Sequence, residues 1–179
     1  MKRNLKALSL IVLALALGSC RERTDRQEGS VILTVADFLG LPSTVSLSDG
    51  GPFVINQITL RNVPKDVNTL PSSLQSVELR SYEVRYTRKD AGTRVPPPTV
   101  QGFFGVVRPN VDETYFNLPF LFSDQVLSPP LRDLRDFGVD RETGTTVVVL
   151  DVSIRFFGET LSGDDVATEP ARFTIDVTQ

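Results

Sequence analysis

The amino-acid sequence predicts an all-β domain, built as an antiparallel two-sheet sandwich of about seven strands. The chain has 179 residues, among them 11 phenylalanines and 12 prolines, and valine and threonine are frequent. These residue types favour strands and turns over helices. Apolar and polar residues also alternate in several short segments, as they do in half-buried strands, and turn-forming residues separate those segments.

Seven segments show this alternation. We expect strands near 31–37, 53–62, 76–87, 99–108, 114–122, 145–157 and 171–178. The sixth segment is the clearest, because every second residue from Val148 to Phe156 is apolar. We therefore expect Val152 and Ile154 to lie on the buried face of a central strand.

The third segment predicts an irregular strand. Leu79 and Tyr82 both belong to apolar faces, yet they lie an odd number of residues apart. This change of phase at Arg80-Ser81 predicts a bulge or a break in the strand. We interpret Tyr82 and Tyr86 as core residues rather than as platforms for sugar stacking.

One segment predicts a short helix, near 129–137. Ser128 could cap its first turn, Leu131 and Leu134 lie on one helical face, and Gly138 follows as a stop signal. Such a helix has two to three turns at most, so the fold class remains all-β.

The N-terminal residues form a pattern typical of a secretory signal. Lys2, Arg3 and Lys6 precede an uncharged run from Ala7 to Gly18. This run is shorter than the roughly 20 apolar residues that span a bilayer. Its length suits the hydrophobic region of a signal peptide.

The end of this run, Leu17-Gly18-Ser19-Cys20, resembles the lipobox of bacterial lipoproteins. The resemblance implies cleavage before Cys20, a diacylglycerol thioether on its sulfur and an acyl chain such as palmitate on its new amine. Stable anchoring needs more than one acyl chain, which this arrangement supplies. The alternative is an ordinary secretory signal that is cut after Ser19 and leaves a free thiol.

The chain is thus predicted to comprise a signal peptide (1–19), a lipidated Cys20 with a flexible tether (20–30) and a sandwich domain (31–179). Arg21 follows the cysteine, whereas the enterobacterial inner-membrane retention signal has Asp there. The resemblance therefore implies a cell envelope protein attached to the outer membrane. Segment 21–30 contains no aliphatic or aromatic residue and can span at most about 35 Å.

Composition excludes several classes of function. The chain has no histidine, and Cys20 is its single cysteine, so Ser-His-Asp and Cys-His catalysis are excluded and a zinc site is not expected. Loss of three of the 19 basic residues with the signal leaves 16 against 22 acidic ones, a net charge of −6. Such a charge argues against nucleic acid as a partner. We expect no cofactor.

Within the domain, Tyr82-Glu83-Val84-Arg85-Tyr86 resembles the Tyr-x-Val-x-Tyr pattern in the third strand of fibronectin type III domains. The last two strands resemble the terminal hairpin of the same immunoglobulin-like class. The resemblance implies an immunoglobulin-like strand order. The sequence departs from the class in having no tryptophan, no pair of core cysteines and no tyrosine in the sixth strand. A jelly roll and a transthyretin-like sandwich remain alternatives.

An immunoglobulin-like order would place loops 38–52, 88–98 and 123–144 at one pole together with Gln179. Loops 63–75, 109–113 and 158–170 would lie at the pole nearer the tether. Functional contacts concentrate on loops that a rigid scaffold holds. We therefore expect a partner surface at the far pole, with the contact candidates Phe38, Leu39, Arg88 and Arg94.

Loop 158–170 contains the acidic pair Asp164 and Asp165, which are weak candidates for binding calcium. Their spacing matches no calcium loop, so a solvated hairpin is the simpler interpretation.

These observations predict a non-enzymatic envelope lipoprotein whose sandwich binds another protein or supports an assembly. One alternative is a carrier of a small molecule or glycan, which would need a deep apolar cavity. A second is a hydrolase that uses paired carboxylates, one of them with a raised pKa.

Overall fold

The computed structural model describes residues 29–50, 53–66, 68 and 70–179. The predicted signal peptide, the predicted lipidation site Cys20 and most of the predicted tether lie outside these residues. Among the residues described, no helix is both long enough and apolar enough to cross a membrane.

The described residues form nine strands, two short α-helices and two single turns of 3-10 helix, Leu47–Asp49 and Ser73–Gln75. The strands are β1 (Val31–Leu39), β2 (Thr44–Ser46), β3 (Phe53–Pro64), β4 (Val77–Arg88), β5 (Thr99–Val107), β6 (Asp112–Leu121), β7 (Val147–Thr160), β8 (Asp165–Ala167) and β9 (Ala171–Thr178). The helices are α1 (Ser123–Val126) and α2 (Leu131–Phe137). All seven predicted strands are present. The sequence did not reveal β2 and β8, because three residues are too few to show an alternation.

The strands form two sheets. One has the order β1-β3-β6, and the other has the order β2-β9-β7-β4-β5, with β8 paired to β7. All neighbours are antiparallel except β2 and β9, which run parallel. The prediction of an all-β protein with two sheets is confirmed.

The core lies between the two sheets, and β7 is the middle strand of the larger one. Alternate residues of β7 from Val148 to Phe156 are completely buried, Val152 and Ile154 among them. The predicted register of this strand is therefore confirmed. Large side chains such as Phe120 of β6 and Phe156 of β7 fill the interior.

The predicted bulge in β4 is also confirmed. The pairing of β4 with both β5 and β7 shifts between Leu79 and Ser81. The shift lets Leu79 and Tyr82 both point into the core, since it absorbs the odd spacing between them.

Two tyrosines of β4 join the sheets across the core. The hydroxyl of Tyr82 donates a hydrogen bond to the carbonyl oxygen of Pro119 at 2.8 Å, and that of Tyr86 donates to the carbonyl oxygen of Phe120. Both acceptors belong to β6 of the other sheet. Burial raises the pKa of Tyr82 to about 12, which keeps its hydroxyl protonated as a donor. The interpretation of both tyrosines as core residues is confirmed.

The predicted helix begins slightly later than expected, at Leu131. Leu131 and Leu134 are buried, and Gly138 ends the helix in a left-handed conformation with φ of 72°. The expectation that Ser128 caps this helix is wrong. Its hydroxyl instead donates to the carbonyl oxygen of Asp124 at 2.7 Å, in the preceding helix.

The connections gather at two ends of the sandwich. We call segments 29–30, 63–66, 68, 70–76, 108–112 and 161–170 the N-terminal pole, because the described chain enters there. The backbone N–H of Lys65 donates to Ser30 at 3.0 Å, and that of Ser162 donates to Leu74 at 3.1 Å. These contacts hold the segments of this pole together.

The opposite end, which we call the helical pole, comprises segments 40–50, 89–98 and 122–146 and Gln179. The side chain of Gln125 donates to the carbonyl oxygen of Pro97 at 3.3 Å, and that of Gln179 donates to Arg135 at 3.1 Å. The predicted sharing of one pole by these loops and the C-terminal residue is confirmed.

Candidate interaction surface at the helical pole

A buried cation organises the helical pole. Arg88 ends β4, and its side chain is only 3% exposed. Its Nε and Nη2 donate to the two carboxylate oxygens of Asp90 at 2.5 and 2.8 Å, and Nη2 also donates to Asp140 Oδ2 at 2.8 Å. The guanidinium therefore joins the 89–98 loop to Asp140, which lies 52 residues after Arg88 in the chain.

The backbone of the 89–98 loop closes over this cation. Nη1 of Arg88 donates to the carbonyl oxygen of Arg94 at 3.3 Å. A Cβ atom at Gly92 would overlap the guanidinium group, so the close approach of the loop requires glycine at that position. The loop and the buried cation are thus packed as one unit.

The two carboxylates beside Arg88 are held in their charged form. Burial by itself would raise the pKa of Asp90, but hydrogen bonds from Arg88 and from the backbone N–H groups of Gly92 and Val149 lower that pKa to about 2. The pKa of Asp140 is also lowered, because donors that include Arg88 outweigh its burial. Neither group has the raised pKa that an acid catalyst needs.

A third carboxylate, that of Glu142, binds the backbone of the same loop. Glu142 accepts hydrogen bonds from the hydroxyl of Thr93 and from the backbone N–H groups of Thr93 and Arg94, the last two at 2.9 Å. The hydrogen bond from the Thr93 hydroxyl is the main reason why the pKa of Glu142 is lowered. These hydrogen bonds therefore connect the 89–98 segment to the 138–146 segment.

The four predicted contact residues differ in their accessibility. The prediction of Arg88 as a contact residue is corrected here, because its side chain is buried. Its charge is already paired with Asp90 and Asp140 inside the pole. Phe38 is half-buried and packs against Phe173, with ring centroids 5.9 Å apart. Leu39 and Arg94 are exposed, and Arg94 lies 3.8 Å from the carboxylate of Asp133.

An open groove of about 690 Å³ lies on the helical pole. Most of the side chains that line it are apolar, and one is cationic. The apolar residues include Leu47, Phe53, Leu121, Phe122, Val126 and Leu127, and the cationic residue is Arg135. No pattern in the sequence indicates this groove, because its lining comes from segments that are far apart in the chain.

Two exposed apolar residues stand on the same pole. Leu127 and Phe137 are each more than half exposed, and the guanidinium carbon of Arg141 lies 3.8 Å from the centroid of the Phe137 ring. Leu127 also borders the groove. Sequence reasoning missed both residues, because it treated the helical segment only as a source of core contacts.

The calcium candidates lie at the other end of the molecule. Asp164 Oδ2 accepts a hydrogen bond from the hydroxyl of Ser162 at 3.2 Å, and Asp165 is exposed at the start of β8. Within the described ranges, no three histidine, cysteine, aspartate or glutamate residues are grouped so that they could hold a metal ion.

Comparison of the chain with protein-family models, with curated proteins and with solved structures finds no match.

Proposed function

We propose that the protein is a lipid-anchored envelope protein whose β-sandwich serves as a protein-interaction or structural module. The observation that carries the proposal is the sequence Leu17-Gly18-Ser19-Cys20 at the end of a signal-like run. Arg21 in place of the retention aspartate favours the outer membrane as its location. The described domain begins only nine residues after Cys20, so it would stand next to the lipid surface.

The domain is further proposed to be immunoglobulin-like. In constant-type immunoglobulin domains, strands A, B, E and D face strands C, F and G. Chain order makes β1, β3 and β6 the equivalents of A, B and E, and these strands form one sheet here. The equivalents of C, F and G are β4, β7 and β9, which are neighbours in the other sheet. The departure is β5, which joins the second sheet instead of the first.

The proposed partner surface is the helical pole. The exposed residue Leu127 borders a groove, and buried ion pairs hold the supporting loops in one arrangement. A surface that is already ordered loses little conformational entropy when it binds a partner. The proposed contacts are therefore Leu39, Arg94, Leu127 and Phe137.

The anchor is tested by metabolic labelling with an alkyne fatty acid. The wild-type chain should be labelled and processed, whereas Cys20→Ser should remain unlabelled as precursor. Ser19→Ala is the matched control, because it keeps a small residue before the cysteine and should be labelled normally. Detergent partitioning of a processed Cys20→Ser chain like that of wild type would refute the anchor.

The location is tested separately by Arg21→Asp. If the retention rule applies, this variant should shift from the outer to the inner membrane fraction in a density gradient. Wild-type chain that is already found in the inner membrane fraction would contradict the proposed location and leave the anchor unaffected.

The interaction surface is tested by photo-crosslinking in native membranes. A photoreactive residue at Leu127 should give a discrete crosslinked band. The same residue at Phe116, which is exposed on β6 away from the pole, should not. The Leu127 band should disappear on Arg94→Glu, since this change reverses an exposed charge on the same pole. Equal crosslinking at both positions would refute the choice of surface.

A second candidate function, the binding of a small apolar molecule, is favoured by the groove alone. Native mass spectrometry of the purified protein would then show a bound molecule that Val126→Arg displaces, because the arginine would fill the groove. A spectrum of unliganded protein would remove this candidate.

A further inference from the structure

The N-terminal pole exposes several large apolar side chains. Leu70 is 92% exposed, Leu74 57%, Leu161 47% and Val111 38%. They belong to three different connections between strands. Exposed apolar residues that gather at one end of a domain indicate a surface that contacts something other than water.

The segments that carry these residues are in contact. The backbone N–H of Leu161 donates to Ser76 at 3.0 Å, next to the turn that carries Leu74. Leu70 lines a shallow groove with Val63 and Asn110, and Asn110 directly precedes Val111. The apolar side chains therefore belong to one end face, which we call the leucine face.

The chain enters the domain on this same face. Ser30 accepts the hydrogen bond from Lys65, and Gly29 lies beside Val166. Nine residues join Cys20 to Gly29, and a chain of that length spans at most about 32 Å in any conformation. An anchor on Cys20 thus keeps the leucine face within that distance of the lipid.

We propose that the leucine face rests on the bilayer and that Leu70, Leu74 and Leu161 enter its interfacial region. This inference rests on the lipid anchor proposed above. The anchor raises the local concentration of lipid around the face, so even a weak apolar contact is populated. The contact removes exposed leucine side chains from water.

The charges beside the leucine face indicate which lipid it prefers. Acidic residues outnumber basic ones on this pole, with Asp66, Asp112, Asp164, Asp165 and Glu169 against Lys65 and Arg108. Such charges repel an anionic surface. The face should therefore contact zwitterionic phosphatidylcholine more strongly than phosphatidylglycerol, since apolar burial and not charge attraction drives the contact.

The absence of tryptophan from the chain allows a direct test. Leu70→Trp and Phe137→Trp each introduce a single tryptophan at an exposed position, one on the leucine face and one on the helical pole. The lipidated full chain of each variant is reconstituted into phosphatidylcholine vesicles with and without brominated acyl chains. Flotation measures anchoring, and tryptophan fluorescence measures contact with the acyl chains.

The expected result is that both variants float with the vesicles. The tryptophan at position 70 should then shift its emission to shorter wavelength and lose most of its intensity to the bromine atoms. The tryptophan at position 137 should change little. Mixing phosphatidylglycerol into the vesicles should weaken the quenching at position 70.

Three results would overturn the proposal. Flotation of both variants without quenching at position 70 would refute the leucine face and leave the anchor standing. Quenching at position 137 instead would show the opposite orientation. A lipid-labelled chain that does not float, or a chain that carries no lipid, would refute the anchor and the inference together.

Discussion

Replacing Arg88 with methionine would leave Asp90 and Asp140 without the cation that they share. The methionine side chain keeps an unbranched apolar stem but is shorter and lacks the guanidinium group, so the change removes the charge and the hydrogen bonds that it donates. Asp140 is completely buried, and the side chain of Asp90 is 17% exposed. Both carboxylates would then have to stay charged without compensation or take up protons that they do not bind at neutral pH.

Removal of one partner from a buried ion pair costs about 3–5 kcal/mol. This is a large share of the roughly 5–15 kcal/mol by which domains are stable. For a domain of this size, such a loss corresponds to a decrease of about 6 to 20 °C in Tm. Urea unfolding followed by circular dichroism would measure the free energy of unfolding, and a thermal scan would measure Tm.

The matched control is Arg61→Met. Arg61 forms an equally well-aligned pair with Asp112 at 2.6 Å, but both side chains are about half exposed. Exposed pairs contribute little, so this variant should unfold almost like wild type. A variant that combines Arg88→Met with Asp90→Asn and Asp140→Asn should regain part of the lost stability. Equal stability of the Arg88 and Arg61 variants would refute the assigned role of the buried cation.

Three further outcomes are expected. The stability that Asp90 supplies should be fully present above about pH 4 and be lost as the pH falls towards 2, because its pKa is lowered from 3.8 to about 2 in the folded state. In urea unfolding, the free energy of unfolding of Asp90→Asn should therefore depend less on pH in this range than that of wild type. An unchanged pH dependence would contradict this role. Val152→Asp would bury an unpaired charge and should cost at least about 4 kcal/mol, so melting within a degree or two of wild type would contradict the register of β7. Phe104→Lys adds a charge to the uncharged edge strand β5, where Phe104 is almost fully exposed. The free energy of unfolding should change by less than about 0.5 kcal/mol, and light scattering should show reduced self-association at high protein concentration. Unchanged scattering would show that this edge does not drive association.

Local patterns were sufficient to locate most of the secondary structure. Alternation in β7 identified its buried face, and the odd spacing between Leu79 and Tyr82 identified the bulge in β4. The helix near Leu131 was also found, although its first turn was assigned the wrong cap. Each of these features depends on residues that belong to the same strand or helix. They can therefore be predicted from short stretches of the sequence.

The candidate site was predicted less well. The loops of the helical pole were correctly expected to meet, since antiparallel strands bring alternate connections to the same end. Arg88 was expected at the surface, because a charged residue at a hairpin tip is usually solvated. The partner that makes its burial possible, Asp140, is 52 residues away and belongs to another loop.

The sequence by itself determined seven of the nine strands, the buried face of β7, the absence of histidine and the lipobox-like segment at Cys20. Only the tertiary structure decided that Arg88 is interior, that a groove lies on the helical pole and that Leu70, Leu74 and Leu161 share the face where the chain enters. The physical reason is the range of the interactions involved. Alternating hydrophobicity is a property of neighbouring residues, whereas the burial of a charge and the shape of a surface depend on which distant segments the two sheets bring together.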